Sequence, residues 1–77
     1  MSKITPAELV RRRFDNSPQL LARLLTEVTG RPVSRSTVAS WYNRGQIPAK
    51  VYGDVLKAAA QGGIPLTADE LINGGEA

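Results

Sequence analysis

The stretch VSRSTVASWYNRGQIP, Val33 to Pro48, decides how this chain is read. Ser34 places a short hydroxyl side chain where a helix would start, and such a group accepts a hydrogen bond from a free first-turn N–H. Val38 and Trp41 follow three apart, on one face. Gly45 then supplies the residue that most readily takes the left-handed conformation ending a helix. At about 100° per residue, Arg35, Ser36, Ala39, Ser40 and Asn43 fall away from the Val38–Trp41 face. The spacing predicts a helix over about 34–44, held down by Val38 and Trp41, with an outer face of mostly short polar side chains.

Upstream, Ser17-Pro18 has the form of a cap followed by a first-turn proline. Leu20, Leu21, Leu24, Leu25 and Val28 then make a broad helical stripe. Gly30 suits the C-cap, and Pro32 biases Arg31 away from helical geometry. Earlier still, Thr5-Pro6-Ala7-Glu8 reads as a capping box, with Val10 and Phe14 on one face. The break at Asp15-Asn16-Ser17 predicts a helix over about Pro6 to Asp15.

Downstream, Pro48 opens a fourth helix whose apolar face is Val51, Val55, Leu56 and Ala59, stopped by Gly62-Gly63. Thr67-Ala68-Asp69-Glu70 repeats the capping-box form before Leu71 and Ile72, and Asn73-Gly74-Gly75 ends this short fifth helix. No segment alternates with a period of two, so no strand is expected. The expectation is an all-α fold. It is a single domain over 1–77, a compact bundle of about five short helices, with 1–4 and 74–77 frayed.

Composition narrows the chemistry. Apolar residues make up 42% of the 77, enough for a modest core. There is no cysteine and no histidine. Disulfides, cysteine-based zinc sites, the commonest general base and the commonest metal ligand are thereby removed. Asp69-Glu70 fall in a first helical turn, where acids meet the helix dipole favourably. No enzyme constellation, metal set, cofactor fingerprint or small-molecule substrate site emerges. The N-terminus lacks the apolar stretch of a signal peptide and the apolar runs are too short to span a membrane, which points to the cytoplasm.

Charge is unevenly spread. Residues 1–50 carry nine basic side chains against Glu8, Asp15 and Glu27, a net +6. Residues 51–77 carry Lys57 against Asp54, Asp69, Glu70 and Glu76, a net −3. A basic front suits a polyanion partner. Arg11-Arg12-Arg13 spread over about 200° of helix, so one surface cannot take all three. They are read as a solvated face, with a phosphate-contacting edge as the alternative.

Helices two and three, with a turn between them, give that partner a form. A helix-turn-helix needs a second helix with one buried stripe and an outer face narrow enough for the major groove. Small outer side chains let the backbone approach the bases. Arg35 is long enough to reach a guanine edge. Asn43 and Arg44, at the far end, suit phosphates, which position without reading sequence. Gln19, at the start of helix two, and Arg31, at the groove edge, are further backbone contacts. Leu21, Leu25, Val33, Val38 and Trp41 form the core of the motif. Tyr42 either packs inward against helix four or meets a phosphate, and Tyr52 either covers the core or forms a dimer contact.

Leu21-Ala22, Val33-Ser34, Val38, Trp41, Gly45 and Ile47-Pro48 together resemble the helix-turn-helix of phage Cro and repressor-type regulators and their bacterial relatives. The resemblance covers about residues 14–60 and is most specific from Val33 to Pro48. It implies DNA contacts at Ser34, Arg35, Ser36, Ser40 and Asn43, with Gln19 accessory. It also implies a homodimer on a double-stranded operator and a role in transcription. One departure stands out. Where the family has a single glycine region, this chain has Thr26 to Pro32, and Val28 on the apolar stripe predicts a longer helix two. The rival expectation is a protein-interaction module, such as an antitoxin or adaptor, docking through the acidic tail or through Ile64, Leu66, Leu71 and Ile72. A recombination or excision accessory factor that bends DNA is a third.

Overall fold

The computed structural model describes residues 3–76, and these fold into five helices. In order they are α1 (Pro6–Arg13), α2 (Pro18–Thr29), α3 (Arg35–Arg44), α4 (Tyr52–Gln61) and α5 (Ala68–Asn73). A 3-10 turn, Ala49–Val51, precedes α4. The all-α bundle expected from the periodicity is what forms, with extents of 38 × 22 × 22 Å.

Local chemistry sets most boundaries. Thr5, Ser17, Ser34 and Thr67 each cap their helix by accepting from a backbone N–H three residues on. Gly30 and Gly45 close α2 and α3 in the left-handed conformation, at φ 70° and 71°. The capping box on α5 is complete, because the Glu70 carboxylate also accepts from the Thr67 N–H. On α1 only half of it forms. Thr5 accepts from the Glu8 N–H, but the Glu8 carboxylate turns to Arg11 and Arg12 instead.

Some expected boundaries move. α1 stops at Arg13 rather than Asp15, since Asp15 and Asn16 both take positive φ, 58° and 56°. Asp and Asn tolerate this conformation better than other side chains, and a helix cannot continue through it. Pro48 opens the 3-10 turn, so α4 proper begins at Tyr52.

The expectation of no strand is corrected, and residues 3, 4, 75 and 76, within the ends expected to fray, are paired. β1 (Lys3–Ile4) and β2 (Gly75–Glu76) pair antiparallel, Lys3 opposite Glu76 and Ile4 opposite Gly75. The pairing is two residues long, too short for any alternation to show. Residues 1, 2 and 77 lie outside the described residues.

The core is built around α2, which packs chiefly on α4 and α3. Phe14, Leu21, Leu25, Val38, Val55 and Leu71 are fully buried, each worth roughly 1.5–3 kcal/mol of transfer free energy. Ala58 joins Val55 and Ala59 as the buried side of α4, while Val51 and Leu56 are half-buried at its rim. Arg13 ties α5 to α1, donating to Glu70 at 2.6 Å and to the Pro65 carbonyl at 2.6 Å. Among the described residues no helix is long and apolar enough to cross a membrane.

Candidate nucleic-acid interface

α2 runs to Thr29 and so includes Val28, and two threonines fix how it ends. The Thr26 hydroxyl donates to the Ala22 carbonyl at 2.9 Å and accepts from the Val33 N–H at 3.0 Å. The Thr29 hydroxyl donates to the Leu25 carbonyl and accepts from the Arg31 N–H. The last turn of α2 therefore holds the first residue before the Ser34 cap. Among the intended motif core, Leu21, Leu25, Val38 and Trp41 are buried, with Trp41 6% exposed. Val33 is half-buried and packs against the core, and its backbone N–H ties it to Thr26 of α2 as well.

On α3, Ser34 spends its hydroxyl on the cap. It accepts from the Thr37 N–H at 3.2 Å and shares a hydrogen bond with the Thr37 hydroxyl at 2.9 Å. Ser36, Ser40 and Asn43 are exposed. At about 100° per residue they lie within roughly 60° of one another, diametrically away from Val38 and Trp41. Ala39, expected on this outer face, is half-buried at its margin.

The other expected contacts are exposed but stand on different flanks. Arg35 sits only about 60° round the helix from Val38, and it lines a hollow of about 480 Å³ with Gln19, Ala22, Arg23 and Val33. Arg31 lies on the opposite flank, in a hollow shared with Thr37, Trp41 and Lys50. Arg44 closes the far end of α3, in a third hollow with Pro6, Ile47, Tyr52 and Ile72. So the structure joins Gln19 to Arg35 and Ser36 to Ser40 and Asn43. It does not bring Arg31 to Arg35.

The eight cations from Arg11 to Lys50 divide into two groups. Arg11 and Arg12 both grip Glu8, at 2.7 and 3.0 Å, and their guanidinium groups hold its carboxyl below the usual glutamate range. Arg13 does the same to Glu70. Arg23, Arg31, Arg35, Arg44 and Lys50 make no ion pair among the described residues and are exposed. Glu8 and Glu70 thus offset two of the triplet's three charges, while the cations along α2, the turn, α3 and the 3-10 turn have no such partner among the described residues.

Arg23 and Lys50 are additions to the sequence reading. Arg23 was legible in principle, since it lies one turn after Gln19 on the same face of α2. Tyr42 is resolved inward. Its hydroxyl is enclosed and meets no hydrogen-bond partner among the described residues, and burial pushes its ionisation well above the ordinary tyrosine value. It is therefore not placed to meet a phosphate. Tyr52 packs half-buried against the core and also lines the hollow beside Ile72.

Comparison with protein-family models, with curated proteins and with solved structures found no match.

Proposed function

We propose that the chain is a sequence-specific DNA-binding regulator of transcription, of phage or prophage type, working in a bacterial cytoplasm. α2 and α3 act as a helix-turn-helix, with α3 in the major groove of a double-stranded operator. The observation that carries this reading is the outer stripe of α3. Ser36, Ser40 and Asn43 are short, polar and exposed, and the helix is fixed from behind by Val38 and Trp41. Flanking cations that form no ion pair among the described residues supply the attraction to phosphate. Arg35, Ser36 and Ser40 set base preference, and Asn43 and Arg44 hold the backbone. Two copies bind a two-fold symmetric site.

The test is a selection of duplexes from a random pool, followed by binding titrations. Arg35→Ala relaxes preference at one base position by roughly 1–3 kcal/mol. No binding of any duplex at low salt, or unchanged preference in Arg35→Ala, rejects the reading.

The protein-interaction reading keeps one supporting feature. Leu71 is fully buried, and Ile64 and Leu66 pack half-buried on the core. Ile72 alone of those four is open, at 61% exposure.

A further inference from the structure

We infer that Arg23, with Gln19, forms a seat for a single backbone phosphate at the α2–α3 cleft, as a positioning residue distinct from the base-reading helix. The inference rests on the DNA-binding reading and assigns a role to a side chain that the motif does not single out.

Two neighbouring hollows define the place. One, of about 480 Å³, is lined by Gln19, Ala22, Arg23, Val33 and Arg35. The other, of about 200 Å³, is lined by Ser17, Gln19, Leu20 and Arg23. Gln19 and Arg23 form the wall common to both. No carboxylate lines either hollow, and Arg23 and Arg35 face one cleft without an acidic partner among the described residues. Two like charges beside one concavity repel each other in the free protein. A phosphate seated on Arg23 relieves that repulsion and leaves Arg35 free to follow α3. The ligand is one of fixed geometry and negative charge, and guanidinium and amide side chains hold phosphate oxygens by N–H donation.

Placement assigns separate roles to the two arginines. Arg35 begins α3 and can follow that helix toward the bases. Arg23 sits in the middle of α2, one turn beyond Gln19, and belongs to the helix that crosses the backbone in this docking mode. A phosphate held by Arg23 and Gln19 fixes how far α3 rolls in the groove.

The experiment compares wild type, Arg23→Ala and Arg23→Lys on one selected duplex and one unrelated duplex, across 50 to 200 mM salt. Loss of one phosphate contact makes the slope of log K against log salt shallower by about 0.9. The wild-type advantage over Arg23→Ala therefore shrinks about 3.5-fold across that salt range, equally on both duplexes, with base preference unchanged. Arg23→Lys keeps the slope. Replacing backbone phosphates one at a time with neutral methylphosphonates then finds a single position at which Arg23→Ala costs nothing further. A salt slope in Arg23→Ala equal to wild type, or a changed base preference, overturns the assignment while leaving DNA binding intact. Failure of wild type to bind either duplex overturns both.

Discussion

Glu70 joins two ends of the molecule, and replacing it separates two contributions that coincide in one carboxylate. The side chain accepts from the Thr67 N–H at 3.0 Å, completing the cap of α5, and from Arg13 at 2.6 Å, docking α5 on α1. Glu70→Gln retains an acceptor for the cap and removes the charge. The pair is partly shielded, at 32% and 23% side-chain exposure, so its loss is placed at about 1 kcal/mol, the upper end of the surface range. Glu70→Ala also removes the acceptor for the Thr67 N–H, the reciprocal half of the capping box, for roughly 2 kcal/mol together. In a domain of this size about 1 kcal/mol moves Tm by 4–8 °C. Thermal melts followed by circular dichroism at neutral pH should therefore order the proteins as wild type, Glu70→Gln, Glu70→Ala. The pH dependence gives a sign. Arg13 lowers the carboxyl pKa in the folded state, so the ion pair stabilises fully above the unfolded glutamate value. That contribution is lost as pH falls through the folded value. The gap between wild type and Glu70→Gln should accordingly close as pH falls below the unfolded glutamate value and through the lower folded one. A Glu70→Gln melt coincident with wild type at neutral pH, or a gap that persists unchanged in acid, would refute the assignment of the stability to this pair.

Two further substitutions probe the fold. Gly74→Ala should destabilise by about 1–3 kcal/mol, because Gly74 has φ 77° and an added methyl would run into the Ile4 carbonyl oxygen. Faster amide exchange across the β1–β2 pairing checks it. Tyr42→Phe should leave stability unchanged or raise it by up to about 1 kcal/mol, since the enclosed hydroxyl has no partner among the described residues; urea titration measures this.

Helix starts and stops were readable from the chain because caps act over three or four residues. Ser34 answers Thr37, Thr67 answers Glu70, and Gly45 ends what Ser34 begins. The Val38–Trp41 face was readable for the same reason, since one helix's period predicts its own buried stripe. What escaped was set by distant neighbours. Arg13 is tied to Glu70, 57 positions away, and nothing near Arg13 announces that partner. β1 and β2 lie at opposite ends of the chain and are too short to show a pattern. At the candidate interface, exposure of Ser36, Ser40 and Asn43 followed from the helical period. The siting of Arg35 beside Arg23 required knowing how α2 and α3 cross. The leucine stripe of α2 drew the reading to its inner side, away from Arg23.

The β1–β2 pairing also bears on α3. Thr5 follows β1 directly, and a methyl placed on Gly45 would touch the Thr5 side chain at 3.9 Å. The C-cap of α3 thus lies beside the segment that follows the strand paired with the C-terminus. Trimming the chain from Gly74 onward, which by sequence removes only a polar tail, would take away the brace behind Thr5. The loss would be transmitted as leverage on the tilt of α3, far along the chain from the cut.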